Sequence, residues 1–274
     1  IESRLWDFVK SIDAPEVTQA QLLRVHTASY LEYIETMMPR QGHVRLDQDT
    51  VISPATQQAA RRAAGAVVAA VDLIMSGDIN NAFCGVRPPG HHATTDLYGG
   101  YCFFNNAAVA AHYVASTTGA KVTVLDVDYH HGNGTQQIFY GRDDVQYVSL
   151  HGDPKRAYPY ITGFADEMGE GKGRGSTTNI PLAAKTDDDM FLDALDKSCE
   201  AIEAFGPSML IVSLGLDTYV TDPICDLAVT RDGFTRSGAR VRGLNLPTVV
   251  LQEGGYDLAN LGLNVQAWLH GLES

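Results

Sequence analysis

Cysteine is scarce and scattered. The chain holds four, Cys84, Cys102, Cys199 and Cys225, with no CxxC pair. This argues for free thiols in a reduced, cytoplasmic compartment rather than for a disulfide framework. Positive charge is also short: 20 Lys and Arg face 33 Asp and Glu, a net charge of −13. That balance argues against nucleic acid or an anionic membrane as partner and mildly favours a cationic substrate. No apolar run reaches the roughly 20 residues of a membrane-spanning helix. Internal repeats, low-complexity stretches and linkers are lacking too, so residues 1–274 read as a single domain. The first residue is Ile1 rather than Met, and an N-terminal piece beyond this sequence is expected.

A chain of 274 residues, 45% hydrophobic and 19% charged, has the composition of a soluble globular protein. It is long enough to bury a full core without staples. Its most loaded stretch is Val122-Thr-Val-Leu-Asp-Val-Asp-Tyr-His-His-Gly-Asn-Gly134. The apolar, β-branched opening reads as a buried strand. Asp126, Asp128, His130 and His131 follow within six positions, then a glycine-rich turn. Asp128 and His130 are two apart, so on extended backbone they point to one side, as half of a first-row metal site would. A helix N-cap or a solvated loop is the alternative for two acids after a strand. Four ionisable groups behind so apolar a run favour the metal, because buried charges need partners.

Other segments give the frame. Residues 18–38 read as one helix with His26 packed inside it, and 39–53 as a polar loop. Ser53-Pro54 reads as an N-cap with Pro at N1, opening an Ala-rich helix that ends near Gly77. Residues 82–86 read as a short strand broken by Arg87-Pro-Pro-Gly-His-His. A loop at 93–102 and a helix at 104–117 follow. Strands are expected at 146–150, 209–216 and 247–251. Helices are expected at 187–205 and 230–244, and a last helix after Tyr256 runs to about His270. Residues 155–181 read as a long glycine-rich functional loop. Alternating apolar strands and helices give an α/β fold with a central parallel sheet flanked by helices. The chemically loaded residues follow strand C-termini, where ligands bind in such sheets.

Asp217 follows the apolar run at 209–216. Alone it reads as a loop carboxylate; with Asp128 and His130 it completes a three-ligand site that keeps a position for water. His91 and His92, behind Pro88-Pro89-Gly90, are a surface pair or a general base and its companion near the metal. Asp126 and Asn133 are the available partners for their other nitrogens. A carboxylate raises imidazole basicity more than an amide does, so the two histidines should differ. Tyr256, after Gly254-Gly255, is a tyrosine packed at a turn or a donor to a developing oxyanion. Tyr101 and Tyr158 are surface aromatics or the walls of a narrow channel.

The motifs Arg87-Pro-Pro-Gly-His-His, Gly100-Tyr-Cys-Phe-Phe-Asn-Asn, Leu125-Asp-Val-Asp-Tyr-His-His-Gly-Asn-Gly-Thr, Ser149-Leu-His-Gly-Asp-Pro, Asp217-Thr-Tyr-Val-Thr-Asp-Pro and Glu253-Gly-Gly-Tyr resemble the arginase/deacetylase superfamily. Within it, the chain resembles bacterial acetylpolyamine amidohydrolases and class II histone deacetylases, over about residues 20–270. The resemblance implies an arginase-like fold and zinc-dependent deacetylation. It implies Asp128, His130 and Asp217 as zinc ligands, and His91 and His92 as catalytic histidines partnered by Asp126 and Asn133. Tyr256 is then the carbonyl-polarising residue. Gly100, Tyr101 and Tyr158 line the channel, with Ile224 at its rim. Asn133 points to the class II and polyamine branch. A structural potassium is implied near Asp126, with the carbonyls of Asp128, His130 and Leu150 and with Ser149. A second is implied near Phe139 and Val145.

The segment from Leu150 through Tyr158 to Pro181 is most like the acetylpolyamine branch, whereas the short stretch at 38–53 is closer to class II deacetylases. Asp47 and Asp49 could add negative charge there. Acetylpolyamine hydrolysis therefore stands slightly ahead of acetyl-lysine hydrolysis, the substrate being a small cationic acetylated amine or an acetyl-lysine peptide, with a homo-oligomer allowed. A dimanganese arginase-type hydrolase lacks support, since the extra Asp-x-His-x-Asp pattern is missing. A non-catalytic binding module is expected to lack a ligand, a histidine or the tyrosine, and all are here.

Overall fold

A computed structural model describes residues 9–48 and 50–274; Asp49 lies outside the described residues. Six strands form one sheet: β3 (Asn81–Cys84), β4 (Val122–Asp126), β5 (Val145–Gly152), β6 (Thr177–Leu182), β7 (Met209–Leu214) and β8 (Thr248–Gln252). Their order is β3-β8-β7-β4-β5-β6, and every pairing is parallel. A separate two-stranded antiparallel ribbon pairs β1 (Val44–Arg45) with β2 (Val51–Ile52).

Both faces of the sheet are covered. One core joins β4, β5, β7 and β8, through Val122, Val124, Tyr147, Ile211 and Val249, to α3 (Thr56–Met75) and α4 (Asn106–Thr118). Leu22 of α1 (Gln19–Leu22) and Leu31 and Ile34 of α2 (Ala28–Met37) also pack there. The other core joins the opposite residues, Leu125, Val148, Leu210, Val212 and Val250, to α6 (Asp188–Phe205), α7 (Arg231–Gly243) and α8 (Leu261–Glu273). Burial on two faces explains why β4 and β7 are buried at every residue and mostly apolar rather than alternating. The short α5 (Asn133–Phe139) follows the motif after β4. Between β4 and β7 the chain order reverses, β4 leading to β5 on one side and β7 to β8 on the other. Such a switch point opens a crevice at the strand C-termini.

Four local expectations differ. The helix over 18–38 is two helices, because Thr27 caps α2 by accepting from the Tyr30 N–H at 3.2 Å, leaving His26 in the break. The loop over 39–53 contains the β1–β2 ribbon. Ser53 is not the N-cap of α3: the Ser53 N–H bonds to Thr56 Oγ1 at 2.9 Å in a turn, and the helix begins at Thr56 with Ala55 at the cap position. The end of the 155–181 loop is β6, an edge strand that tolerates Pro181 there.

Candidate active site

The residues singled out after β3, β4, β7 and β8 meet at the switch point. Asp128 and His130 come from the β4–α5 connection and Asp217 from the loop after β7. His130 Nδ1 lies 3.2 Å from Asp128 Oδ1 and 3.0 Å from Asp217 Oδ2. Tetrahedral bonds of about 2.0–2.1 Å place ligand atoms roughly 3.3 Å apart, so His130 Nδ1 has the spacing of a fellow metal ligand to each of the two carboxylates. The remaining carboxylate valences are tied to backbone. Asp128 Oδ1 also accepts from the His130 N–H at 2.8 Å, Asp128 Oδ2 from Gly254 N–H at 2.8 Å, and Asp217 Oδ1 from Tyr129 N–H at 2.8 Å. A Cβ on Gly254 would fall 2.6 Å from Asp217 Oδ2 and 2.7 Å from Asp128 Oδ2. Glycine is what lets that strand end close over the two acids.

Charge makes the same case. Asp128 and Asp217 are both wholly buried. Burial, then the neighbouring Asp128 charge, pushes the Asp217 carboxyl up to about 7. Burial works against the His130 imidazolium, but Asp128 and Asp217 override it and raise this histidine to about 10. The cluster therefore requires a cation, which a proton on His130 or a divalent metal can supply. The donor set fits a metal. The Cys225 thiol is a further donor within 4.8 Å of His130 and Asp217. Nothing in the sequence signalled it. Asp128 Oδ1 stands 3.2 Å from His130 Nδ1, and a carboxylate binds a cation without first losing a proton as a thiol must, so Asp128 is the stronger candidate.

His91 and His92 stack beside this cluster with ring centroids 4.0 Å apart. His91 Nδ1 donates to Asp126 Oδ2 at 3.0 Å, and His92 Nδ1 pairs with Asn133 Oδ1 at 2.8 Å. Burial disfavours the charged form of His91, but Asp126, Asp128 and Glu253 outweigh it and raise its pKa well above the usual value. His92 is held well below it by burial and then by His91 and His130. Asp126 is shared, since Oδ2 also accepts from Tyr147 OH at 3.0 Å.

Aromatic rings and a close glycine surround these groups. The Tyr158 ring stands edge-on to His92 at 4.9 Å and lies 6.4 Å from His130. The Tyr101 ring lies 6.2 Å from Tyr256. Gly100 touches the His92 ring so closely that a Cβ would sit 2.1 Å from it. Ile224 is half exposed. Burial and the charges of Asp128 and Asp217 push the Tyr256 phenol far up, so it is present as a hydrogen-bond donor.

Glu253 and Asp222, acids inside the quoted motifs, have no role in the sequence reading. Glu253 Oε2 accepts from Gly90 N–H at 2.7 Å and His91 N–H at 3.2 Å, while Oε1 accepts from Ser213 Oγ at 3.0 Å. Asp222 accepts from the Tyr256 N–H at 2.8 Å. The signal for Glu253 was an acid directly after an apolar strand, the same signal used for Asp126 and Asp217.

Of the residues the resemblance implies for potassium, Asp126 on β4 is paired in register with Ser149 on β5. His151 Nε2–H donates to the Gly163 carbonyl at 2.8 Å, which leaves Nδ1 to accept from Ser149 Oγ at 2.8 Å. No helix among the described residues is long and apolar enough to cross a membrane.

The sequence profile of the histone deacetylase domain matches residues 1–272. Acetylpolyamine amidohydrolase 1 of Pseudomonas aeruginosa is 39% identical over 92% of this chain and 82% of its own length. The histone deacetylase-like amidohydrolase of the same organism is 39% identical over 95% of this chain and 70% of its own. The crystal structure of an acetylpolyamine aminohydrolase from Burkholderia pseudomallei superposes with a TM-score of 0.92 at 34% identity, covering 100% of this chain and 88% of that one. With its parallel sheet, its paired histidines and its Asp–His–Asp cluster, the chain belongs to the histone deacetylase domain family.

Proposed function

We propose that this chain is a zinc-dependent deacetylase of small cationic acetylated amines, working as one domain over residues 1–274. The observation that carries the reading is the convergence of Asp128, His130 and Asp217 at 3.0–3.2 Å beside the His91–His92 pair. A metal on these ligands polarises a carbonyl and lowers the pKa of bound water. His92, held neutral, accepts the proton of the attacking water. Tyr256 donates a hydrogen bond to the oxygen of the acetamide carbonyl as negative charge grows on it. His91, held charged against Asp126, supplies the proton that lets the amine leave, with acetate as the other product. Gly100, Tyr101 and Tyr158 enclose the acetylated arm, and Ile224 meets the rest of the substrate at the rim.

A structural potassium would be held beside Asp126 by Ser149 and the carbonyls of Asp128, His130 and Leu150. The pairing of Asp126 with Ser149 supports this, as does the Ser149 hydroxyl, which donates to His151 and so keeps its lone pairs for a cation. A second would lie near Phe139 and Val145. The free cysteines support a reducing, cytoplasmic setting.

Acetyl-lysine peptides are the second reading, favoured by the equal 39% identity to the histone deacetylase-like amidohydrolase. The deciding measurement is kcat/KM on zinc-reconstituted protein for N-acetylputrescine and acetylspermidine beside an acetyl-lysine peptide. A strong preference for the small amines is expected, and preference for the peptide would overturn the substrate assignment. Tyr256→Phe is expected to lower kcat by orders of magnitude with zinc content unchanged. Full turnover in that variant would remove Tyr256 from the mechanism.

A further inference from the structure

We infer that Asp222 is a positioning residue for Tyr256 and ties the channel rim to it; the inference rests on the deacetylase reading above. Asp222 sits in the loop between β7 and α7, 7% exposed. Its Oδ1 accepts from Ile224 N–H at 3.1 Å, closing a turn at the rim, and its backbone N–H donates to Tyr219 O at 2.9 Å. A turn of this kind needs one side-chain acceptor, which Asn or Ser also provides. Asp222 has a second oxygen, and Oδ2 reaches a different loop to accept from Tyr256 N–H at 2.8 Å.

That second bond falls just after a pair of glycines. Tyr256 lies between the end of β8 and the start of α8, directly after Gly254 and Gly255, which impose little restraint on its direction. The Gly254 carbonyl is held by Leu216 N–H at 3.0 Å, and the Tyr256 carbonyl accepts from Leu258 N–H at 3.0 Å. Among the described residues the acceptor for the Tyr256 N–H itself is Asp222. Thr221 Oγ, next to Asp222, also bonds to Asp257, next to Tyr256, so the two loops are joined twice. A buried carboxylate is costly unless its oxygens are satisfied. Here both are satisfied by backbone donors, one from the substrate rim and one from the residue that must meet the carbonyl oxygen. A shift of about 1 Å in such a group can cost on the order of 100-fold in rate.

The test is a double-mutant cycle on zinc-loaded protein with N-acetylputrescine. Asp222→Ala is expected to lower kcat about tenfold to a hundredfold. KM and zinc content should stay near wild type. In a Tyr256→Phe background the same substitution is expected to change kcat by less than about threefold, because the group it positions is already gone. Asp222→Asn, whose single amide oxygen serves only one of the two N–H donors, gives the same reading should Asp222→Ala fail to fold. Wild-type kcat in the single variants, an equal loss in both backgrounds, or loss of zinc would each overturn the role given to Asp222. Absence of turnover of any acetylated amine by the zinc-loaded wild type would overturn the deacetylase reading, and this inference with it.

Discussion

Glu253 shows how one side chain can set the geometry of the histidine pair without touching a substrate. Its carboxylate gathers the Gly90 and His91 N–H groups and the Ser213 hydroxyl in a buried pocket. Burial pushes this carboxyl up to about 7, with His91 opposing. Replacement by Gln keeps the arrangement, since the amide oxygen accepts from the two N–H groups while the NH2 donates to Ser213. Replacement by Ala leaves these three buried donors without that acceptor, each unmatched one costing about 1–3 kcal/mol. The Pro88-Pro89-Gly90 turn would then shift to find other acceptors, carrying His91 with it. Glu253→Ala is expected to lower kcat at least tenfold, on the order of the cost of one such bond, and Glu253→Gln much less. Steady-state kinetics with metal content measured in parallel checks this. Equal activity in both variants would show that the turn holds itself.

At the scale of elements, the break between α1 and α2 makes a pH-dependent contribution to stability. His26 lies in that break, 2% exposed, and its Nε2 accepts from Asn105 N–H at 3.0 Å at the start of α4. The Thr94 and Thr95 carbonyls lie near and favour the charged ring, but Nδ1 makes no well-formed bond, and burial lowers the pKa to about 4. The unfolded chain, near 6.5, binds a proton that the folded chain refuses. Stability from this group is therefore present above about pH 6.5 and is lost as pH falls towards 4, at up to about 1.4 kcal/mol per pH unit. His26→Gln keeps an acceptor and removes the titration. The drop in Tm between pH 7 and pH 5 should be smaller in this variant than in wild type, and an identical drop would refute the account. The same break shows what local pattern conceals. Leu22, Leu31 and Ile34 are all buried, so the apolar period runs on across a cap that only Thr27 marks. Strands β4 and β7 were legible because two helical layers demand unbroken apolar runs. β6 was not, for Asn179 in it turns to Gln136 and the Phe164 carbonyl, and its register comes from pairing with β5. The ribbon was hidden as well, its turn resting on Thr50 N–H bonded to Asp47 at 2.7 Å. Asp128, His130 and Asp217 could be read because ligand types at strand ends signal themselves. The contacts of Glu253 and Asp222 could not, since their donors lie 163 and 34 residues away in the chain.

For the whole molecule, the charge imbalance should act on the encounter with substrate. The net charge is −13. Several of the few cations are already paired: Arg142 with Asp144, Arg156 with Asp226, Arg236 with Asp189 and Arg240 with Asp196. The uncompensated charge is therefore acidic. In sequence, the partly exposed Asp257 directly follows Tyr256, and the exposed Asp96 lies in the loop before Tyr101. Such a field raises the local concentration of a cationic amine and speeds its capture, and salt screens it over about 10 Å at 0.1 M. N-acetylputrescine and an uncharged N-acetyl alkylamine of similar length separate this effect from the chemistry, since both offer the same acetamide to the same residues. With potassium held constant, kcat/KM for the cation is expected to fall several-fold as NaCl rises from about 20 to 300 mM, while kcat stays level, because screening acts on capture. The neutral amide should show almost no change. If both substrates lose activity in parallel, salt is acting on the enzyme rather than on the encounter. If neither does, the negative charge has no part in choosing a cationic substrate, and selectivity must come from contacts along Tyr101, Tyr158 and Ile224 instead.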